Sequence, residues 1–427
     1  MFDRRNLLCH RREQWVAAVA LGAAAAVLGS ASSARADNVN WTGAGDGVSW
    51  TDPNNWAHDV TMAPGVPGPL DQGFINNTSS VTINSAVTVG SFSLGHGSGT
   101  ATLNILDGAN FTVNGTSRVG RGTDAVGNAT GHVRQTGGTV SFPNGSRLGL
   151  TFDTRTPPEV NADSLYEISG GTLTMAGGGS IQIGRTTSGT TNIAYNRAEF
   201  RVVGSGASLI EANRLSLDGG ATSGTPVVGF VIDSGGVTKI TLRDFLRLNQ
   251  GATLDVTVGA ATVPATDITL IESDHFSGTL TEFVNRPEGS TVADIFNNRL
   301  YEWTLDYNNA SDDGVIDSFV KLTMPRSFRG GDANRDNTVN LADFNILASN
   351  FGSGTATWSQ ADFNGDGLVN LADFNVLASN FGMSGTVGGP TPDDWTALAS
   401  AVPEPTSSLA LVGAATALIA RRRRQRS

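Results

Sequence analysis

The chain has 427 residues, including 53 Gly, 15 Pro and a single Cys, and charged residues make up 16 % of it. The glycines follow no three-residue period, which excludes a collagen-like fibre, and the apolar content fits neither a disordered chain nor a polytopic membrane protein. The formal net charge is −11, and residues 37–420 hold 18 basic against 37 acidic residues. A surface this acidic excludes nucleic acid as a partner and suits calcium binding.

Residues 1–36 are predicted to be an export signal peptide. An apolar run from Trp15 to Leu28 follows four arginines, and Ala34-Arg35-Ala36 forms a small-residue cleavage site. The run is too short for a membrane-spanning helix. The segment Arg4-Arg5-Asn6-Leu7-Leu8 also resembles a twin-arginine motif, so the choice between the two export routes stays open. The single Cys9 would be removed with the signal, leaving a mature chain without disulfides.

Residues 37–325 are predicted to form a mainly β domain of repeated short strands. Apolar and polar residues alternate in segments that recur in threes, within 103–120, 132–150, 165–184, 198–217 and 229–248. A glycine precedes each middle strand, at intervals of 30 to 35 residues: Gly108, Gly138, Gly171, Gly206 and Gly236. One triplet per about 30 residues predicts a right-handed parallel β-helix in which each triplet is one turn, with a cap at each end. A pair of β-sandwiches is the alternative fold.

Side-chain positions within these triplets predict a core and two surface features. The expected inward-facing residues are Leu103, Ile105, Val113, Val140, Leu173 and Leu215. Trp41, Trp50 and Trp56 are expected to cap the solenoid; stacking on sugar rings is the alternative. A column of Arg118, Arg147 and Arg214, with Gln182 between and Arg247 beyond, would face solvent, meet acidic neighbours or bind an acidic glycan.

The edges of this region carry a resemblance. The opening WTGAGDGVSWTDPNNW (41–56) and the closing YEWTLDYNNASDDG (301–314) are similar to recurrent edge sequences of autotransporter-type β-helices in adhesin-like surface proteins.

A duplicated loop–helix sequence follows, within 326–385. Residues 339–352 and 369–382 differ at one position, and the repeat period is 30 residues. Positions 1, 3, 5, 9 and 12 of each loop bear side-chain oxygens, and position 7 would supply a carbonyl, which is the EF-hand-like spacing that calcium requires. Two calcium ions are therefore predicted, with ligands Asp332, Asn334, Asp336, Thr338, Asn340 and Asp343 in the first loop and Asp362, Asn364, Asp366, Leu368, Asn370 and Asp373 in the second. A degenerate acidic turn is the alternative interpretation.

This repeat resembles a type I dockerin, with Asp at position 12 and no helix before either loop. The resemblance implies calcium binding and docking to a cohesin module, often in proteins that act on polysaccharides. Positions 10 and 11, where dockerins contact cohesins, are Leu341, Ala342, Leu371 and Ala372 here, where type I dockerins often have Ser or Thr. An atypical cohesin, or a partner surface within the same chain, is therefore expected.

After a linker (386–402), residues 403–427 resemble a PEP-CTERM sorting signal. Pro403-Glu404-Pro405 precedes a short apolar helix, Leu409 to Ala420, and a cluster of arginines. The resemblance implies recognition by an exosortase, temporary anchoring in the membrane by this helix, and cleavage near the tripeptide. Display at the cell surface, or release, together with extracellular polysaccharide would follow. A plain tail anchor is the alternative.

Catalytic residues are not evident in the sequence. The candidate acids Asp153, Glu159, Asp163, Glu167 and Glu199 form no motif, and the lysines Lys239 and Lys321 are isolated. His58, His96, His132 and His275 show no zinc spacing. Two function classes remain: a non-catalytic surface solenoid docked through its calcium module, and a dockerin-bearing glycosidase or polysaccharide lyase whose residues converge only in the folded groove.

Overall fold

The structure, a computed structural model, describes residues 36–76, 78–95, 99–120, 129–151, 162–184, 195–219, 224–310 and 313–384. The predicted signal peptide (except Ala36), linker and sorting segment, including Pro403, Glu404 and Pro405, lie outside the described residues, as do Asp153 and Glu159. Within the described part, no helix has the length and apolar character needed to cross a membrane.

The strands follow one another as a solenoid with an extension at each end. The first three strands are β1 (Asn38–Trp41), β2 (Trp56–His58) and β3 (Gln72–Ile75). Seven three-strand turns follow: β4 (Ser79–Ile83), β5 (Ala86–Val89), β6 (Ser91–Leu94); β7 (Gly99–Ile105), β8 (Asn110–Val113), β9 (Ser117–Val119); β10 (Ala129–Gln135), β11 (Thr139–Phe142), β12 (Arg147–Leu150); β13 (Ala162–Ile168), β14 (Gly171–Met175), β15 (Ser180–Ile183); β16 (Tyr195–Val203), β17 (Ala207–Ala212), β18 (Arg214–Leu217); β19 (Thr225–Ile232), β20 (Ile240–Leu242), β21 (Phe245–Leu248); β22 (Thr253–Val258), β23 (Ile268–Ser273) and β24 (His275–Gly278).

Two smaller parts complete the described chain. We call β25 (Thr291–Phe296), β26 (Arg299–Asn308) and β27 (Ser318–Arg329) the C-terminal cap, and residues 330–384 the helical module. The module contains α1 (Leu341–Asn350), a short 3₁₀ turn at Trp358–Gln360, and α2 (Leu371–Asn380).

Equivalent strands of successive turns stack in parallel to form three long sheets. The first-strand sheet runs from β4 to β22, the second-strand sheet from β5 to β23, and the third-strand sheet from β3 to β24. Register is continuous along a stack, as in Leu103–Val133–Tyr166 of the first-strand sheet. Antiparallel pairing occurs at the two ends, where β2 pairs with β1 and the C-terminal cap continues the second-strand sheet through β27. The predicted parallel β-solenoid is confirmed.

Corner glycines allow the turns to stack closely. Gly138 has a φ of 65°, and an added Cβ would lie 2.7 Å from the backbone oxygens of Leu106 and Ala109 in the preceding turn. No L-residue with a side chain fits there without displacing the backbone of that turn. The recurring glycine in the sequence therefore marks a packing requirement between turns.

The interior is a continuous apolar column. All six residues predicted to face inward are at most 1 % exposed. Trp41, Trp50 and Trp56 are also buried and meet edge to face, so they pack the N-terminal end and present no platform to a sugar. Two linked hydrogen bonds lie within this core. The Tyr166 hydroxyl donates to Gln135 Oε1 at 2.7 Å, and Gln135 Nε2 donates to the Thr172 carbonyl at 2.9 Å.

The single arginine column expected from the sequence does not form. Register aligns Arg118 with Gly149 and Gln182, whereas Arg147 aligns with Ser180 and Arg214. The inward apolar residues that follow set this register, and they place the arginines in two separate columns. Arg214 pairs with Asp244 at 2.6 Å, and Gln182 donates to Asp218 at 3.0 Å.

Two boundaries also differ from expectation. In the triplet within 229–248, the segment Val237 to Ile240 predicts the middle strand, but that strand is Ile240–Leu242, because residues 237–239 connect a tight turn to the sheet. The last cap strand runs to Arg329, past the expected domain end at Pro325, because β27 pairs along its length with β26.

Candidate metal-binding and docking module

Each calcium-type loop is closed onto the helix that follows it. Asp343 accepts backbone N–H bonds from Ala333 and Asn334 through Oδ1 and from Asn340 through Oδ2, at 2.9 to 3.1 Å. The Asn340 side chain accepts from the Ala342 N–H at 2.7 Å, which caps α1. The second unit repeats this arrangement, with Asp373 and Asn370 in the same roles.

The first residue of each loop anchors its centre. Asp332 accepts from the N–H groups of Asp336 and Asn337, at 3.1 and 2.9 Å. Asp362 accepts from Gly365 and Gly367, both at 2.9 Å. The loops turn through left-handed backbone at position 6, where Asn337 has a φ of 67° and Gly367 a φ of 81°.

Position 4 of each loop is also left-handed, which the spacing of the oxygen-bearing residues does not predict. Arg335 has a φ of 63° and Gly365 a φ of 76°. The signal available in the sequence was the mismatch itself, since arginine and glycine occupy equivalent positions in an otherwise closely repeated segment.

Carboxylates that lie close together in these loops are held with raised pKa values. Burial raises the pKa of Asp332 to about 6, and the neighbouring charges of Asp343 and Asp336 add to that effect. Burial also raises the pKa of Asp343 and Asp362, each with like charges nearby. Like-charged oxygens gathered in one loop are the environment that a divalent cation would neutralise.

The donor chemistry fits calcium. Every predicted side-chain ligand offers oxygen, and the remaining ligands, at Thr338 and Leu368, would be backbone carbonyls. Among the described residues, no three or more His, Cys, Asp or Glu groups are placed as a metal cluster. The predicted sites depend instead on Asn and main-chain oxygens together with the aspartates.

A tryptophan from the connecting segment lies between the two loops. Trp358 is buried; its Nε1 donates to the Asp332 carbonyl at 2.6 Å, and its ring meets Phe363 edge to face at 5.2 Å. The repeat does not point to this residue, because it lies outside the repeated motif.

The predicted partner-binding positions lie at the exposed first turns of the two helices. Leu341 is 40 % and Leu371 62 % exposed, and Ala342 and Ala372 are also exposed. Exposed leucines at matching positions of two helices are available to an apolar partner surface.

Two of the acids considered from the sequence meet on the outer face of the first-strand sheet. Glu199 is buried between Arg197 and Arg201, with both Nε–Oε distances at 2.7 Å, and Arg201 also reaches Glu167 at 3.4 Å. Each carboxylate there is matched by a guanidinium, as in a structural ion-pair network.

An open cavity of about 300 Å³ lies where the loop 261–265 meets the C-terminal cap. Its lining contains no carboxylate: Ala261, Thr262, Val263, Pro264, Ala265, Arg299, Tyr301, Pro325, Arg326 and Ser327. Paired carboxylates for glycoside hydrolysis are therefore missing from this cavity.

Comparison with known proteins identifies the helical module. Searches of curated proteins and of solved structures find no match to the chain. Residues 330–381 match the family model described as the dockerin type I domain, so the chain carries a dockerin type I domain after a β-solenoid.

Proposed function

We propose that this chain is an exported, non-catalytic β-solenoid protein that binds two calcium ions and docks to a cohesin-like module. The observation that carries the proposal is the dockerin type I match at 330–381, which coincides with the two closed loops and their helices. Association with extracellular polysaccharide is part of the proposal and is drawn from the sequence resemblances.

Calcium would be held by the twelve residues predicted from the repeat. What supports this is the oxygen-only donor set together with the raised pKa of Asp332, Asp343 and Asp362. Titrating the full chain with calcium by calorimetry should show two bound ions, and Asp336→Ala with Asp366→Ala should remove both. A full chain that takes up no calcium would refute this part of the proposal.

Docking would use the exposed helix starts. Leu341 and Leu371 lie on the module's surface, at positions where the resemblance to type I dockerins implies contact with a cohesin. A panel of cohesin modules presented to the calcium-loaded full chain should include one that binds, and Leu341→Asp with Leu371→Asp should abolish that binding. Val60→Asp, at an apolar site between β2 and β3 that is even more exposed (86 %), is the control and should have no effect.

The solenoid would act as a non-catalytic scaffold. The guanidinium groups that neutralise Glu167 and Glu199, and the cavity lining without carboxylates, support this role over a glycosidase or lyase. The calcium-loaded chain should release no reducing ends or unsaturated uronates from neutral and acidic polysaccharides. Product release that persists after repurification would favour the enzyme alternative.

Export and surface display would follow from the two ends of the chain. We expect cleavage before Asp37, and exosortase-dependent processing at Pro403-Glu404-Pro405 after the C-terminal helix has held the chain in the membrane. Replacing this tripeptide by three alanines should leave the protein in the membrane fraction with its tail attached. Normal processing of that variant would rule out the sorting motif.

A further inference from the structure

The helical module shares a packed core with the C-terminal cap. Leu300 of β26 and Phe328 of β27 are buried in the same apolar cluster as Val339, Phe344 and Leu377 of the module. Buried side chains from both parts in one cluster indicate that the cap and the module stabilise each other.

The fourth residue of each calcium loop lies at this contact. Arg335 of the first loop pairs with Glu302 of β26, with Nη1 and Oε1 3.0 Å apart. In the second loop, an added Cβ on Gly365 would lie 3.5 Å from Ile295 of β25. Both loops therefore touch the cap at the same position of the repeat.

Glu302 lies in β26, between β25 and β27, and it is only 2 % exposed, which is unusual for a carboxylate. Its two oxygens face Arg335 at 3.0 Å and Arg326, on the neighbouring strand β27, at 3.8 Å. A carboxylate buried to this degree is stable only when it is paired, and the closer of its two partners comes from the calcium loop.

We propose that the C-terminal cap is an intramolecular receptor for the calcium loops, in which Arg335 and Glu302 are positioning residues that couple calcium binding at the first loop to seating of the module. Calcium fixes the loop backbone, and the fixed loop holds Arg335 at φ 63° against Glu302. By linkage, seating must then strengthen calcium binding by the same factor that calcium strengthens seating. This inference rests on the proposal that the loops bind calcium.

The effect of removing Arg335 on calcium affinity distinguishes a role of its charge from a role of its contact with the cap. Three aspartates predicted as ligands surround the first ion site, so deleting a nearby positive charge should tighten calcium binding if Arg335 acted only through its field. A positioning role predicts weaker binding, because the loop loses its contact with the cap. The sign of the change therefore separates the two roles.

The test uses the full chain carrying Asp366→Ala, which leaves the first loop as the site under study. Calcium affinity would be measured by calorimetry for Arg335→Met, Arg335→Lys and Glu302→Gln, and the accessibility of residues 295–302 and 326–331 by hydrogen exchange with calcium and with chelator. Arg243→Met and Glu211→Gln are matched controls, since this Arg–Glu pair lies on the solenoid away from the module.

A coupling of about tenfold is expected from the usual range for linked sites. Arg335→Met and Glu302→Gln should weaken calcium binding about that much and abolish the calcium-dependent protection of the cap, while Arg335→Lys restores part of both. Unchanged or tighter calcium binding in Arg335→Met, or protection that never depends on calcium, would overturn the coupling while leaving the proposed function intact. If the full chain without any of these substitutions binds no calcium, both the coupling and the proposed function are overturned.

Discussion

Replacing Asp373 by alanine separates the structural and the metal-binding roles of the twelfth loop position. Its side chain is fully buried and accepts N–H bonds from Phe363 at 2.8 Å, Asn364 at 3.3 Å and Asn370 at 2.9 Å. These bonds join the start of the loop to the start of α2 whether or not an ion is present. We therefore expect Asp373→Ala to destabilise the second unit even in chelator.

The magnitude follows from the acceptors that are lost. Three backbone donors would lose their partner, of which the Phe363 N–H is buried and the Asn364 and Asn370 N–H groups are part-buried. At about 1 kcal/mol for each donor, the loss is about 3 kcal/mol. Asp366, also a predicted ligand, is exposed and accepts from the Leu368 N–H at 2.8 Å and, in an exposed hydrogen bond, from the Asn364 side-chain amide at 3.0 Å. Asp366→Ala should cost about 1 kcal/mol or less in chelator, although both substitutions remove a ligand.

Hydrogen exchange of the full chain in chelator measures this difference directly. Amides of residues 361–384 should exchange about a hundredfold faster in Asp373→Ala than in the unaltered chain, because about 1.4 kcal/mol corresponds to a factor of ten. Peptides from β7 to β15 provide the internal control and should not change. Equal exchange rates in Asp373→Ala and Asp366→Ala would show that the N–H bonds do not hold the loop.

Three further predictions concern the solenoid. Gln135→Leu should lower stability by about 1–3 kcal/mol because it orphans the buried Tyr166 hydroxyl, and adding Tyr166→Phe should recover part of that loss; additive effects in urea unfolding would contradict this account. Gly138→Ala should lower the urea midpoint because its φ of 65° and the 2.7 Å approach to the preceding turn leave no room for a Cβ, whereas Gly178→Ala, with no atom within 4 Å of the added carbon, should cost less. Burial lowers the pKa of His132, and the positive charge of Arg134 lowers it further. The neutral imidazole therefore favours the folded state above the pKa that His132 has in the unfolded chain. This stability is lost as the pH falls through the pKa of His132 in the folded state. His132→Asn should therefore reduce the fall in urea midpoint between about pH 7.5 and about pH 5, and an unchanged fall would refute the assignment.

The solenoid was predictable from the sequence because its turns share a corner glycine. Five of the seven turns were recognised in this way, from β7 to β21. The first turn was not recognised because Ser85, not glycine, precedes its middle strand, β5. The last turn was not recognised because Asp267, not glycine, precedes its middle strand, β23.

The arginine column shows why the sequence could not supply register. Arg118 and Arg147 begin equivalent-looking Ser-Arg segments, yet Gly149 stands beside Arg118. A shift of two residues keeps apolar side chains inward, so alternation alone cannot exclude it. Only the contacts of the inward residues with neighbouring turns decide the alignment.

The loops and helices of the module were predictable at residue level, because an almost exact 30-residue duplication fixes which positions carry oxygens and which carry apolar groups. The packing of the module against the C-terminal cap was not predictable in this way. Glu302 has no local sequence signal, since its burial comes from two arginines that approach from β27 and from the first loop. Contacts of this kind arise from tertiary placement and not from periodicity.

Identical residues in the two repeats also have different surroundings. Phe351 is 57 % exposed, whereas Phe381, at the same position of the second unit, is 2 % exposed and belongs to the module's core cluster. Sequence cannot distinguish them, so the difference must come from what packs against each helix end. The helix starts are also unequal, since Leu341 is 40 % and Leu371 62 % exposed, so a partner that approaches Leu341 meets a different surface from one that approaches Leu371. The two helix starts should therefore differ in affinity for the same cohesin, despite their matching Leu-Ala sequences.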